Sequence, residues 1–415
     1  MNEAKLSIMA WRNLWRHKRR TLITLSAIAF GTFLAIIFTG IGDATYGGMI
    51  DLAARLGSGH VTIQHPKYLD KPTLNRTVTG VKEKSMIAME DREVSKVVTR
   101  ITGNVMLATA GESYGAGFIA IDPETEDANT FALMDDFSEG EMFATSRDKG
   151  IILGAVLAKN LGAKMGKKVV YTMTDKNGDI TSGLARVSGI IKTGAPGVDL
   201  GLCILPIDTA RKILGYSSDE STNVSIFIND QRDSDKVRNR LKHRFEPENA
   251  VHIWSETQPE LAGFITMKVS GSKFFEMIIM ILVAAGIFNT LFISVMERLR
   301  EFGILMAIGM SPGGLFRLVM WESFWLGISG LIFSAIVTAW PYWYLNTTGL
   351  DMTAMVGEGN TEIAGVAFDP IMYVSIFPEN LLLIVSAVMI ATLLSGFYPA
   401  LRAGRVNPVE TIRLV

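Results

Sequence analysis

Four uncharged stretches govern what this chain can become, and they are unequally spaced. The first covers 21–42. The other three, 277–296, 323–350 and 380–401, crowd into the last third. A helix crossing the hydrocarbon core of a bilayer needs about 20 apolar residues, and each run is long enough. Between the first and second lies a long segment of mixed polarity. The expectation is a membrane protein of four transmembrane α-helices in a 1 + 3 arrangement, with a large mixed α/β extracytoplasmic domain between spans 1 and 2.

Basic residues set the orientation. Lys5, Arg12, Arg16, Lys18, Arg19 and Arg20 precede the first run, Arg298, Arg300 and Arg317 follow the second, and Arg402, Arg405 and Arg413 follow the fourth. The stretch 341–379 carries no Lys or Arg. Short basic flanks stay in the cytoplasm, whereas long domains cross largely regardless of charge. Both termini are therefore expected inside. The segments are a cytoplasmic amphipathic helix (1–20), span 1 (21–42), the extracytoplasmic domain (43–272) and span 2 (273–296). There follow a cytoplasmic loop (297–317), span 3 (318–344, its apolar centre 321–340), an extracytoplasmic loop (345–379), span 4 (380–401) and a cytoplasmic tail (402–415). The first run exceeds a signal-peptide core and lacks a small-residue cleavage site, so it is expected to stay as an anchor.

Composition narrows the function. A formal net charge of −1 gives no reason to expect nucleic acid as a partner, and one cysteine, Cys203, permits no internal disulfide. A small buried apolar role is the expectation for that thiol. The 21 methionines are scattered and read as flexible core filler. The five histidines form no ligand-spaced helical pair, so no metal site is expected.

Residues 4–20 place Arg12, Arg16 and Arg19 on one helical stripe and Ile8, Trp11 and Trp15 on another. That pattern suits a helix lying in the inner interface, with Trp among headgroups and Arg toward phosphates. Trp340 and Trp343, in WPYWY, mark the outer interface, where Pro341 can end or kink span 3. In the large domain, 60–64, 98–107, 114–121 and 224–229 read as strands. Further strands are expected at KVVYTMT, ARVSGIIKTG and LCILP, with a hairpin turn at DKNGD (175–179). AVLAKNLGAKM (155–165) reads as a helix capped by Gly166, and IDTARKILG and DSDKVRNRLKHRF read as helices. From Pro259 the pattern is helical into span 2.

Catalytic motifs are missing. The nearest approach to a phosphate loop, Gly162 to Lys168, is one residue short and ends in Lys where a hydroxyl is needed. No H-E-x-x-H or G-x-S-x-G occurs. Within the spans, Glu276 and Glu322 sit at the edges, where snorkelling or a local partner is expected, and Asn289 is the strongly polar residue at mid-span. No hydrophilic ion path emerges.

The most specific local signal is M-E-R-L-R-E-F-G-I-L-M-A-I-G-M-S (296–311), a charged start, an apolar helical middle and a Gly/Pro turn. A short amphipathic segment there suits docking to a soluble partner or a tight connector between helices. This stretch resembles the signature of the MacB/FtsX/LolC–LolE family of ABC-transporter membrane subunits. W-R-N-L-W-R-H-K-R-R-T-L-I-T (11–24) and F-Y-P-A-L-R-A-G-R-V-N-P-V-E-T-I-R (397–413) are similar to the family's ends. Residues 154–169 and 187–194 resemble outer-domain patterns of its LolC/LolE and MacB branches.

The resemblance implies a type VII, mechanotransmission ABC permease that is not itself an enzyme. It would hold no cofactor. ATP and Mg would belong to a separate polypeptide, because the chain starts almost at span 1 where MacB carries its ATPase. Implied partners are two cytoplasmic ABC ATPase subunits, a second permease subunit (identical or LolC/LolE-type), and a periplasmic lipoprotein carrier. The implied location is the bacterial inner membrane, with the large domain periplasmic. ATPase coupling is carried over to Glu301, Gly303, Leu305, Ala307, Gly309 and Ser311. Three functions stay open: lipoprotein extraction and release, MacB-like export of peptides or small molecules, and FtsX-like signalling to a cell-wall hydrolase.

Overall fold

The computed structural model describes residues 3–134, 137–353, 362–363, 366–367 and 371–405. The tail from 406, with Arg413 and the second half of the family-like motif, and much of the 345–379 loop lie outside the described residues. The helices are α1 (Glu3–Leu14), α2 (Lys18–Leu56), α3 (Val81–Met89), α4 (Ala155–Asn160), α5 (Pro196–Gly201), α6 (Ile207–Leu214), α7 (Ser234–Phe245), α8 (Trp254–Thr257), α9 (Pro259–Glu297), α10 (Leu299–Ala307), α11 (Pro312–Thr347) and α12 (Pro378–Gly404). Four of them, α2, α9, α11 and α12, are long and apolar enough to cross a membrane. Contacts divide the chain into two units, one of Met1–Thr45, Met267–Asp351 and Ile371–Val415, the other of Tyr46–Thr266 and Met352–Pro370.

The first unit is a helical bundle. Leu25, Ile28, Ala35 and Ile36 of α2 meet Ile287 and Leu291 of α9, Leu326 of α11, and Ile384 and Val388 of α12. Lipid supplies no hydrophobic drive between helices, so close approach and hydrogen bonds must hold them. A methyl added at Gly330 would lie 2.7 Å from Ile28, and one at Gly396 would lie 2.0 Å from the Ser323 hydroxyl oxygen. Ser395 donates to the Ala284 carbonyl at 2.9 Å, which ties α12 to α9. At one end, Leu6 and Ala10 of α1 join Val295, Phe302, Leu315, Leu318, Val319, Ala400 and Ala403 in a separate cluster.

Helices α2 and α9 each run 39 residues. At 1.5 Å per residue that is about 58 Å, roughly twice the hydrocarbon thickness. Each is thus far longer than its apolar run. Helix α11 also outlasts expectation, passing through Pro341 to Thr347. Asn289, expected to glue helices, is exposed on α9.

The second unit is α/β. Its strands are β1 (Val61–Gln64), β2 (Val78–Thr79), β3 (Val94–Ala108), β4 (Ser113–Ile121), β5 (Phe137–Gly140), β6 (Gly150–Gly154), β7 (Lys168–Thr174), β8 (Ile180–Ile191), β9 (Leu202–Pro206), β10 (Glu220–Ser221), β11 (Asn223–Ile228) and β12 (Ala250–Ile253). The long strand β3 serves two sheets. Val94 to Arg100 pair with β11, which continues to β1 and β12. Ile101 to Ala108 pair with β4, and Met106 to Ala108 also with β7. The pairings β3–β4–β9–β6–β8–β7–β3 then close a ring of six strands. Closure leaves no free edge among those six.

Ring and open sheet have separate cores. Ile101, Leu107, Phe118, Ile151, Leu153, Val169, Val187 and Leu205 fill the first. Val61, Ile63, Val224, Ile226, Val237 and Leu241 fill the second, under α7. Cys203 of β9 is fully buried in the first, and burial pushes its thiol well up, so it packs as a small apolar side chain. Strand β1 is buried at every position because β11 and β12 flank it. The helix expected at 155–165 stops at Asn160, since Gly162 takes a positive φ of 57°.

Candidate functional site: the short helix between α9 and α11

The segment expected as a loop (297–317) is mostly helix. It is held away from α9 by a break at Arg298 and from α11 by a turn at 308–311. Gly309 has φ +102°, a backbone region closed to other L-residues without strain. Ser311 caps α11, its hydroxyl accepting from the Gly314 amide at 3.2 Å, and Pro312 fills the first helical position.

Within α10 the sides differ. Phe302 and Gly303 are buried, and Leu305 and Met306 pack against the same cluster. Ile304 and Ile308 are 48% and 76% exposed. Four residues apart, Ile304 on α10 and Ile308 at its C-cap form an apolar ridge at the end of a helix whose other face is fixed.

A charged frame holds the helix. Arg298 Nη1 donates to both Glu322 carboxylate oxygens at 3.0 and 3.1 Å. Its Nε donates to Glu301 at 3.2 Å, and its guanidinium lies 5.2 Å from the Phe302 ring centroid. Asn13 donates to Glu322 at 2.8 Å, and Arg16 pairs with Glu301 at 3.2 Å. Arg20 reaches Glu297 at 2.7 Å. Glu322 thus has the local partners expected of an edge carboxylate, and its interior position is compensated. The frame joins α1, α2, the end of α9, α10 and α11.

Of the six expected coupling residues, Ala307, Gly309 and Ser311 are exposed, and Glu301 and Leu305 are half-buried. Gly303 lies under the helix and cannot meet a partner directly. Ile304 and Ile308 were missed. The i, i+4 isoleucine spacing was visible in the sequence, but the coupling role was carried over from the family resemblance to Leu305, Ala307 and their neighbours, and neither isoleucine was singled out.

The aromatic residues expected at interfaces occupy two places. Trp11 is edge-on to Trp15 and Trp325, with ring centroids 5.7 and 5.1 Å apart, and Arg12 and Arg16 are exposed beside them. Trp340 and Trp343 are exposed near the far end of α11, Trp340 stacking on Tyr344 at 5.8 Å. Helix α9 also presents an exposed apolar surface, including Phe274, Phe275, Ile281 and Leu282. On the outside of the strand ring, Met106 of β3, Val170 of β7 and Leu184 and Ile180 of β8 form a second exposed apolar patch.

The structure thus has four membrane-length helices, an α/β domain inserted after the first and a braced short helix before the third. Residues 21–244 match the MacB-like periplasmic core domain, and residues 273–408 match the FtsX-like permease C-terminal family. The chain belongs to the MacB/FtsX/LolC family of ABC-transporter permeases. It is 23% identical to an uncharacterised ABC transporter permease of Methanocaldococcus jannaschii, over 97% of this chain and 96% of that one. It is 22% identical to the lipoprotein-releasing system transmembrane protein LolC of Neisseria meningitidis, over 98% and 99%. It is also 22% identical to the macrolide export ATP-binding/permease protein MacB of Psychrobacter arcticus, over 98% of this chain but 59% of that protein.

Proposed function

We propose that this chain is the transmembrane subunit of a mechanotransmission ABC transporter whose work is lipoprotein extraction and release toward the outer membrane. Two separate ATPase subunits in the cytoplasm would bind ATP and Mg and dock on α10. The observation that carries this reading is the Ile304–Ile308 ridge. Apolar side chains are left in the open on a helix whose opposite face is locked by Phe302, Arg298 and Glu322. Force applied there would reach α2 and α9, both of which begin or end in that frame and contribute to both units. A second permease subunit would cover α9, whose Asn289 then gains an interhelical partner. The apolar patch on β3, β7 and β8 would receive substrate or a periplasmic carrier.

Lipoprotein release is preferred because the similarity to LolC runs the length of both chains, which also supports a separate ATPase. MacB-like export is the second reading, favoured by the periplasmic-core match over 21–244. The FtsX-like signalling reading stays third, supported by the match over 273–408. Gentle-detergent purification from native membranes, with mass spectrometry of proteins and lipids, separates them. An ABC ATPase with triacylated peptides supports lipoprotein release. An ATPase without such peptides moves the assignment to export or signalling, and recovery of no ATPase refutes the docking role of α10.

A further inference from the structure

Helix α1 spends its only acidic residue on the side facing α11. Glu3 pairs with Arg317 and accepts from the Trp321 indole at 3.2 Å, while Ser7 accepts from the Trp325 indole at 3.0 Å. Leu6, Ala10 and Leu14 are buried on the packed side. The other side borders an open groove of about 750 Å³ lined by Lys5, Trp11, Arg12, Trp15 and Arg16. Lys5 and Arg12 are exposed and have no acidic partner among the described residues. Ile8, also at the groove, is 62% exposed.

We propose that this groove binds the anionic headgroup of a phospholipid, of the phosphatidylglycerol or cardiolipin type, and that the headgroup competes with Glu301 for Arg16. The required chemistry is together in one place. Guanidinium and ammonium groups match phosphate, with Arg favouring bidentate contact. Exposed indoles settle at headgroup level, and an unpaired basic cluster next to a span is the pattern that attracts anionic lipid. An acidic protein surface would satisfy the cations but leave Ile8 and the Trp rings without an apolar environment, whereas a lipid brings phosphate and acyl chain together. Arg16 makes the site more than an anchor. It lines the groove and also holds Glu301 on α10 at 3.2 Å, so a bound phosphate would loosen one brace of the helix proposed to dock the ATPase. This regulatory half rests on the docking role of α10; the binding half does not.

The test uses the full-length chain in nanodiscs of phosphatidylcholine alone or mixed with cardiolipin, with lipid retention read by native mass spectrometry. Both leaflets have the same composition, so the readout is independent of topology and of any ATPase. The wild-type chain is expected to retain cardiolipin over phosphatidylcholine. The double variant Lys5→Gln/Arg12→Gln is expected to lose about tenfold or more of that preference, given the attraction contributed by each cation at an anionic surface. Arg402→Gln, another basic residue beside a span, is expected to retain it. Glu301→Gln frees Arg16 and should raise retention. Equal retention by wild type and the double variant overturns the site, and no change in Glu301→Gln overturns the competition. Displacement of cardiolipin by inorganic phosphate at similar concentration overturns the lipid assignment in favour of a free-anion site. Loss of ATPase co-purification in the double variant, without loss of lipid, overturns it in favour of a protein partner.

Discussion

Removing the carboxylate of Glu126 should unfold much of the second unit's stability. Arg100 and Glu126 are both fully enclosed, with side-chain exposures of 0% and 0%. Their contact is bidentate, Nε to Oε1 at 2.8 Å and Nη2 to Oε2 at 3.0 Å. The remaining guanidinium hydrogens go to backbone oxygens, those of Thr130 at 2.5 Å, Arg55 at 3.3 Å and Gly57. Phe131 and Phe227 close over the guanidinium with centroids 5.3 and 5.6 Å away. Arg100 sits where β3 changes partner from β11 to β4, and two of its acceptors lie at the end of α2 and just beyond it. One side chain therefore ties the open sheet, the strand ring and a helix terminus.

Breaking such a pair from one side leaves an uncompensated buried charge, at a cost of about 3–5 kcal/mol. For a unit of this size 1 kcal/mol moves the melting temperature by about 2–4 °C, so Glu126→Leu, at about 3–5 kcal/mol, should lose roughly 6–20 °C. The double variant Arg100→Met/Glu126→Leu removes both charges and should recover a large part of the loss. The assay is thermal unfolding of the full-length chain in detergent, followed by protease sensitivity within the second unit. The reasoning is refuted if the single variant melts within about 2 °C of wild type, or if the double variant's loss equals the sum of the two singles, since contacting residues should couple.

Four further outcomes are expected. Ile304→Glu/Ile308→Glu should abolish ATPase co-purification while leaving the melting temperature unchanged within about 1–2 °C, because exposed sites seldom cost more than about 0.5 kcal/mol; retained co-purification removes α10 as the dock. Glu322→Leu should cost about 3 kcal/mol by stranding Arg298 and Asn13, and Arg298→Leu in the same chain should restore part of it, read by thermal unfolding. Gly330→Leu should split the contact with Ile28 and lower the detergent melting temperature more than Gly313→Leu, where a methyl meets nothing within 4 Å. Asp91, hydrogen-bonded by Arg240 at 2.6 and 2.9 Å, is held below its ordinary 3.8 by that contact first. A depressed folded value means stability present above 3.8 and lost as pH falls through the folded value, so acid unfolding in that range should become shallower in Asp91→Asn.

What the sequence disclosed follows from the kind of signal each feature leaves. Long apolar runs and the alternation of strands against helices are local patterns, so the four membrane-length helices and the α/β character of the intervening region were legible. Closure of six strands into a ring was not, because it depends on β3 changing partners at Arg100, a pairing between residues far apart in the chain. Pro341 was a poor guide to the end of α11. Its ring removes one hydrogen bond, and a helix with other packing can absorb that loss, whereas Gly349 at φ +73° lies just past the observed end.

Helix α10 shows the limit most sharply. The sequence showed Ile304, Leu305 and Ile308 only as part of an undivided apolar middle, yet of the three Leu305 alone packs inward. What separates them is rotation about the helix axis, and that rotation is fixed by residues elsewhere. Phe302 anchors in a cluster built from α1, α11 and α12, and Arg298 is drawn to Glu322 on α11. Asn13 and Arg16 complete the frame from the N-terminal side. Glu322, which looked like an edge residue of span 3, is thus part of one network with Asn13, Arg298, Glu301 and Arg16, and it is this network that turns two isoleucines outward. A perturbation at any member, whether a headgroup at Arg16 or a substitution at Glu322, should therefore act on the same ridge. Measuring ATPase affinity in Glu301→Gln, Glu322→Leu and Arg298→Leu places all three on a common scale. Effects confined to Glu301→Gln, with the other two silent, would break the network into independent contacts.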